Sequence, residues 1–123
     1  MRLTLTPAVL EAAYNFLKAT KPYSGWKMPD SSDIEFWVGR RRGEFGCYVS
    51  NGNKYPYHRI HVSAHMVRAT HPLIATMAHE MVHVRDQILD PSWPHTDDDG
   101  HGPKFQKMAD MVCRIHGFDR STF

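Results

Sequence analysis

Five residues constrain this 123-residue chain more than any other stretch: His79-Glu80-Met81-Val82-His83, an H-E-x-x-H pattern inside the segment from Leu73 to Leu89. On an α-helix, residues four apart lie one above the other on the same face. His79 and His83 can therefore aim a ring nitrogen each at one point, with Glu80 projecting beside them. The rest of the segment asks for that helix. Leu73, Ile74, Met77, Ala78, Met81, Val82 and Ile88 recur at intervals of three and four, as an amphipathic helix requires. Thr70 or His71 can serve as the N-cap, Pro72 suits the first turn, and Pro91 enforces a stop after Asp90. The polar stripe of the helix is then Thr76, His79, Glu80, His83 and Gln87. Polar groups among apolar neighbours need a partner when buried, and a metal ion is a good one.

Zinc suits such a stripe, because it accepts imidazole ligands and keeps an open position for water when three protein groups bind it. The metal acidifies that water and the glutamate takes the proton, which is the chemistry of the metalloprotease signature H-E-x-x-H. The signature needs a third ligand from beyond His83. His95, His101, one of Asp97 to Asp99, and His116 are the candidates. His101 is the best placed, at the entry to the last helix, where a ligand is held rigidly. Gly100 and Gly102 flank it and allow close backbone approach. His58, His61 and His65 also invite a metal reading, but strand and loop spacing does not converge them on the helix pair.

Length and composition narrow the class. The chain is long enough for a single domain with a single core, here residues 1–123. Apolar content of 41% and charged content of 23% are those of a globular protein rather than a disordered one. A formal charge of +2 is too small to argue for nucleic acid on its own. No apolar run reaches membrane-spanning length, and Met1 to Pro7 lacks a signal peptide's apolar core. Cys47 and Cys113 form no C-x-x-C pair, which suits two buried free thiols in a reducing compartment. A cytoplasmic monomer with no membrane partner is the expectation.

Along the chain, the elements predict an α+β fold. Thr6-Pro7 starts a helix with Thr6 as N-cap; Val9, Leu10, Ala13, Phe16 and Leu17 mark its buried face, and it ends near Thr20. Tyr23 to Ser32 is loop by composition, with Trp26 and Met28 capping the core. Asp33 to Gly39 reads as a strand with Ile34, Phe36 and Val38 on one face. Glu44 to Val49 reads as a second, with Phe45, Cys47 and Val49 alternating, and Tyr57 to Ser63 as a third. With Asn51-Gly52 as a turn, the expectation is a three-stranded antiparallel meander packed under a helix. Arg40-Arg41-Arg42 is a basic turn, read as a solvated hairpin end that could also contact phosphates. Pro103 to His116 is the last helix, with Phe105, Met108, Ala109, Val112 and Ile115 buried and Gly117 closing it.

The residues also carry a family likeness. His79-Glu80-Met81-Val82-His83 followed by Asp99-Gly100-His101-Gly102-Pro103-Lys104-Phe105 resembles the SprT-like zinc metallopeptidase family, whose eukaryotic member Spartan is a DNA–protein crosslink protease. Ile60-His61-Val62-Ser63 and Leu73 to Ala78 are similar to that family too, as is the order of elements, and the likeness runs from about Thr6 to Gly117. It implies a zincin-like core with His79, His83 and His101 as zinc ligands and Glu80 as catalytic base. It implies a protein or peptide substrate, including DNA-bound proteins. Many members carry a cysteine-based zinc ribbon after the core; a chain without those cysteines is expected to be a minimal protease core. For the oxyanion, His58, His61, His95, Tyr57 and Arg59 are candidate donors, and Asp86, Asp97 to Asp99 or backbone carbonyls could orient the ligand histidines. Two other readings stand beside a zinc endopeptidase. One is a DNA-associated zinc-binding module with little proteolysis. The other is a three-histidine ribonuclease, against which Glu80 weighs.

Overall fold

The computed structural model describes residues 4–91 and 101–123. The elements run α1 (Pro7–Lys18), β1 (Ile34–Gly39), β2 (Gly46–Ser50), β3 (His58–Ser63), α2 (Thr70–Leu89) and α3 (Pro103–His116), with single 3-10 turns at Tyr23–Gly25 and Ser31–Asp33. The fold class is α+β. α2 is the hub: it packs on α1, on α3, and on β2 and β3.

α1 begins as its sequence asks, with the Thr6 side chain accepting a hydrogen bond from Val9 N. Its buried face is Leu10, Ala13, Tyr14 and Leu17. Phe16, expected inside, is 58% exposed. Tyr14 takes the core position because its hydroxyl can donate to the Pro29 carbonyl at 2.6 Å, so burial leaves no polar atom unpaired. α2 starts at Thr70, with Ala69 as N-cap and no side-chain cap, so neither Thr70 nor His71 has that role. It ends at Asp90, before Pro91, as expected. In α3, Phe105, Ala109, Val112 and Cys113 are buried while Ile115 is exposed. Gly117 closes the helix in the left-handed region, φ 79°, its N–H reaching Cys113 O.

The sheet is mixed rather than an antiparallel meander. Its order is β1-β3-β2, with β1 parallel and β2 antiparallel to β3. β3 takes the centre because Ile60 and Val62 are fully buried there and a central strand loses most surface. The segment Arg40 to Phe45 therefore does not close a hairpin. It crosses the end of β3, where Ala64 N binds Gly39 O, Ser63 N binds Phe45 O, and Ser63 Oγ donates to Arg41 O at 2.6 Å. Six residues easily span the ~10 Å between alternate strands of a sheet.

The sequence reads Phe45, Cys47 and Val49 as an alternating set in β2, and it is the other set that turns toward the core. Phe45 and Val49 are exposed, Cys47 is half-buried, and Tyr48 packs on the core. Gly46 explains the choice. A Cβ there would lie 2.9 Å from both Glu80 Oε2 and Thr76 Cγ2, so only a glycine lets β2 come this close to α2. With Gly46 turned to α2, strand alternation sends Tyr48 and Ser50 the same way.

Candidate metal centre

α2 delivers two of the three imidazoles and α3 the third. Nε2 of His101 lies 3.1 Å from Nε2 of His83 and 3.3 Å from Nε2 of His79. A tetrahedral zinc with nitrogen ligands at about 2.0–2.1 Å has nitrogen–nitrogen edges of about 3.3–3.4 Å, so these spacings fit that ion. Among the described residues, no other group of three or more histidine, cysteine or acidic side chains gathers like this one, whose donor atoms lie within 4.8 Å of one another. Phe105, read from sequence as a core residue of α3, also forms the floor of the site. Its ring centroid is 5.1 Å from that of His79, 4.5 Å from His83 and 4.7 Å from His101.

Electrostatics suit the donor set. Burial, reinforced by the neighbouring His101, pushes the His79 ring down to about 4. Burial, with His79 and His101 beside it, pushes His83 down to about 3. Both rings are thus neutral at neutral pH, the form that binds a metal. Glu80 is 4% exposed. Burial, with Glu44 as a smaller cause, pushes its carboxyl up to about 8. A cation beside it would pull that value down again. A group tuned near neutrality by its surroundings suits proton transfer.

The triad is braced from the second half of the chain. His79 makes a ring hydrogen bond to the Phe123 backbone, and its ring packs on that of Phe123 at 5.3 Å. Gln106 Nε2 donates to the His101 carbonyl at 2.9 Å; Arg120 holds the Gln106 side chain and reaches Asp110 at 2.5 Å. From the other side, Tyr23 donates its hydroxyl to the Ala78 carbonyl at 2.6 Å, and Arg85 donates to Trp26 O at 2.5 Å.

A family model for the SprT-like family matches residues 16–122, nearly the whole chain. The chain belongs to the SprT-like family. That family is generally of the metallopeptidase type and zinc-associated. No curated protein and no solved structure matches the chain.

The other residues singled out from this SprT-like sequence fall outside the triad. His116 sits at the far end of α3 with Nε2 3.0 Å from Thr20 Oγ1. His95 and Asp97 to Asp99 lie outside the described residues. Of the oxyanion candidates, His58 has Nδ1 2.7 Å from the Tyr48 hydroxyl, Arg59 pairs with Glu35 at 3.4 Å, and Tyr57 packs on Tyr55. His61 is on the opposite face of the sheet, edge-on to Trp37 at 4.5 Å. Arg41 pairs with Glu44 at 3.0 Å, whereas Arg40 and Arg42 are exposed beside it.

Sequence reasoning missed Tyr48. Its ring lies parallel to His83 with centroids 6.4 Å apart, and it lines a cavity of about 590 Å³ with Gly46, Glu80, Gln87 and the three histidines. A second cavity, about 510 Å³, opens on the other side of Glu80. Gly46, His79 and Glu80 border both. β2, an edge strand, lines the first from Gly46 to Ser50 and meets the second at Gly46, so the two adjoin as one groove. Ser63 N to Phe45 O and Asn51 N to Tyr57 O bracket the β2–β3 ladder. Alternation then turns the backbone groups of Gly46, Tyr48 and Ser50 outward, toward that groove.

Proposed function

We propose that this SprT-like chain is a zinc-dependent endopeptidase. The observation that supports it most is three imidazoles gathered with donor atoms within 4.8 Å, His101 Nε2 lying 3.1 and 3.3 Å from the other two, and a buried carboxyl beside them. His79, His83 and His101 would hold the ion. Zinc at that point supplies a polarised, acidified water and charge stabilisation at the scissile carbonyl. Glu80 takes the proton of the attacking water and passes it to the leaving amine. Its buried setting raises its basicity and keeps bulk water from competing. The outward N–H and C=O groups of Gly46, Tyr48 and Ser50 would receive an extended peptide by strand addition, which fixes the main chain without selecting a sequence. The Tyr48 hydroxyl, 2.7 Å from His58 Nδ1, belongs to a residue that lines this cavity and is added to the oxyanion candidates read from sequence.

The parent and two variants test this reading. Purified protein should hold one zinc per chain, and His101→Ala should lose it. Zinc-loaded protein should cleave an unfolded test protein such as reduced casein, and a chelator should stop the reaction. Glu80→Gln should retain the zinc and lose cleavage. Equal cleavage by Glu80→Gln and the parent would remove Glu80 from the mechanism.

One surface favours a second reading, a DNA-associated module. Exposed Trp37 stands over His61 on the open sheet face, and Arg40 and Arg41 border the same shallow cavity of about 190 Å³. An aromatic ring beside cations is what single-stranded nucleic acid stacks on. In that reading DNA affinity falls steeply with salt and is unchanged in Glu80→Gln.

A further inference from the structure

Tyr48 is held by a network that no role in packing requires. Strand alternation turns it to the same side of β2 as Gly46 and Ser50, and it shares a cavity with the three histidines and Glu80. Its ring is parallel to that of His83. Two polar side chains meet its phenol oxygen: His58, with Nδ1 at 2.7 Å, and Ser50, by a side-chain hydrogen bond. Both come from one rung of the sheet, because Ser50 and His58 are paired across β2 and β3.

Counting donors and acceptors sets the directions of these bonds. Gly52 N donates to Ser50 Oγ at 3.2 Å, so that hydroxyl already accepts and its own proton is free for Tyr48. Burial keeps the Tyr48 phenol protonated well beyond neutral pH. Burial also holds His58 below its ordinary value, against the pull of Asp33, so its ring is neutral there and carries one N–H. With that N–H on Nδ1, the phenol oxygen receives two hydrogen bonds. Its own proton is then left to the cavity that Tyr48 lines. An O–H whose oxygen accepts in this way is a stronger donor.

We propose that the Tyr48 hydroxyl donates a hydrogen bond to the oxygen that gains negative charge when water adds to the scissile carbonyl, and that His58 is the positioning residue that turns the hydroxyl proton toward it. The proposal rests on the peptidase reading above and selects among its oxyanion candidates. Arg59 is committed to Glu35 and His61 lies on the opposite face of the sheet, so neither competes. His58 acts only through Tyr48. Tyr48 keeps its proton throughout, and the protons of the attacking water stay with Glu80.

Zinc-loaded parent and variants are compared on one fluorogenic, unfolded peptide. Tyr48→Phe should lower kcat by about 10²-fold and leave KM unchanged, as loss of a contact made only in the transition state does. His58→Leu should lower kcat by about 10-fold, the worth of one hydrogen bond. His58→Asn, whose amide can place an N–H where Nδ1 stands, should restore most of that loss. Zinc content should stay at one per chain in all three. A second measurement needs no turnover. A phosphinic peptide, whose tetrahedral anion imitates the charged oxygen, should bind zinc-loaded Tyr48→Phe about 10-fold more weakly than the parent. A third needs no metal: nitrogen NMR of metal-free protein should find the His58 proton on Nδ1. Equal kcat in Tyr48→Phe, an effect confined to KM, or a His58 proton on Nε2 overturns the proposal. Loss of zinc from Tyr48→Phe does so too, because Tyr48 is then a support of the metal site. No cleavage by the parent, with the phosphinic peptide still telling Tyr48 from phenylalanine, removes the peptidase reading and leaves the donor standing.

Discussion

In the peptidase reading, Glu80 carries the proton transfers. Replacing it with glutamine keeps shape and hydrogen bonding but removes the base, so cleavage should fall by about 10²–10⁴-fold, as measured by single-turnover assay of the zinc-loaded variant. Its burial has a second consequence in metal-free protein. The folded-state value of about 8 lies above the ordinary carboxylate value of 4.5, so the folded form binds the proton more tightly than the unfolded chain. That stabilisation is fully present below about pH 4.5 and is lost as pH rises through about 8. His79 and His83 act in the opposite sense. Their folded values, about 4 and 3, lie below 6.5, so their stabilisation holds above pH 6.5 and is lost as pH falls through those values. The melting temperature of metal-free protein should therefore peak in the mildly acidic range, and Glu80→Gln should flatten its alkaline side. A parent profile that keeps rising up to pH 9 would contradict the burial of Glu80. Gly46 is the other decisive residue. Gly46→Ala drives a methyl to 2.9 Å from Glu80 Oε2 and should cost about 1–3 kcal/mol in urea unfolding.

At the scale of elements, α2 is positioned by contacts far away in sequence. Tyr23 lies in the turn after α1, yet its buried hydroxyl satisfies the Ala78 carbonyl next to His79. Tyr23→Phe should destabilise the fold by about 1–2 kcal/mol in chemical unfolding and leave zinc stoichiometry at one. The residues after α3 act as a clasp: Arg120 holds Gln106, Gln106 holds the His101 backbone, and Phe123 meets His79. Arg120→Ala should weaken zinc binding by about 10-fold, read by competition with a chromophoric chelator, because partners of metal ligands typically account for 10–100-fold. Unchanged affinity would mean that α3 alone holds His101. The start of α1, the stop of α2 at Asp90 and the glycine closing α3 were legible because caps, prolines and left-handed glycines act within a few residues. Tyr14 was not, because its place inside depends on the Pro29 carbonyl.

Over the whole molecule, among the described residues, the core of α1, the sheet and α2 lies on one side of the sheet, and Trp37, His61 and Val49 lie on the other face. No described helix is long and apolar enough to cross a membrane. In the peptidase reading, a zinc ion held by residues from two helices would link α2 to α3 and stabilise only the folded state. At free zinc 100 times the dissociation constant this adds about 2.7 kcal/mol. Chelation should lower the melting temperature of the parent, and His101→Ala should already melt at the chelated value.

The sequence by itself determined the helices and the spacing of His79, Glu80 and His83 on one face, because helical periodicity and terminal signals are local. Only the tertiary structure decided that β3 lies between β1 and β2, that β2 turns Gly46 and Tyr48 toward Glu80, and that Phe118 and Phe123 fold back to wall the groove. Strand order and register follow from which surfaces bury most area together, and that sum is taken over residues distant in sequence.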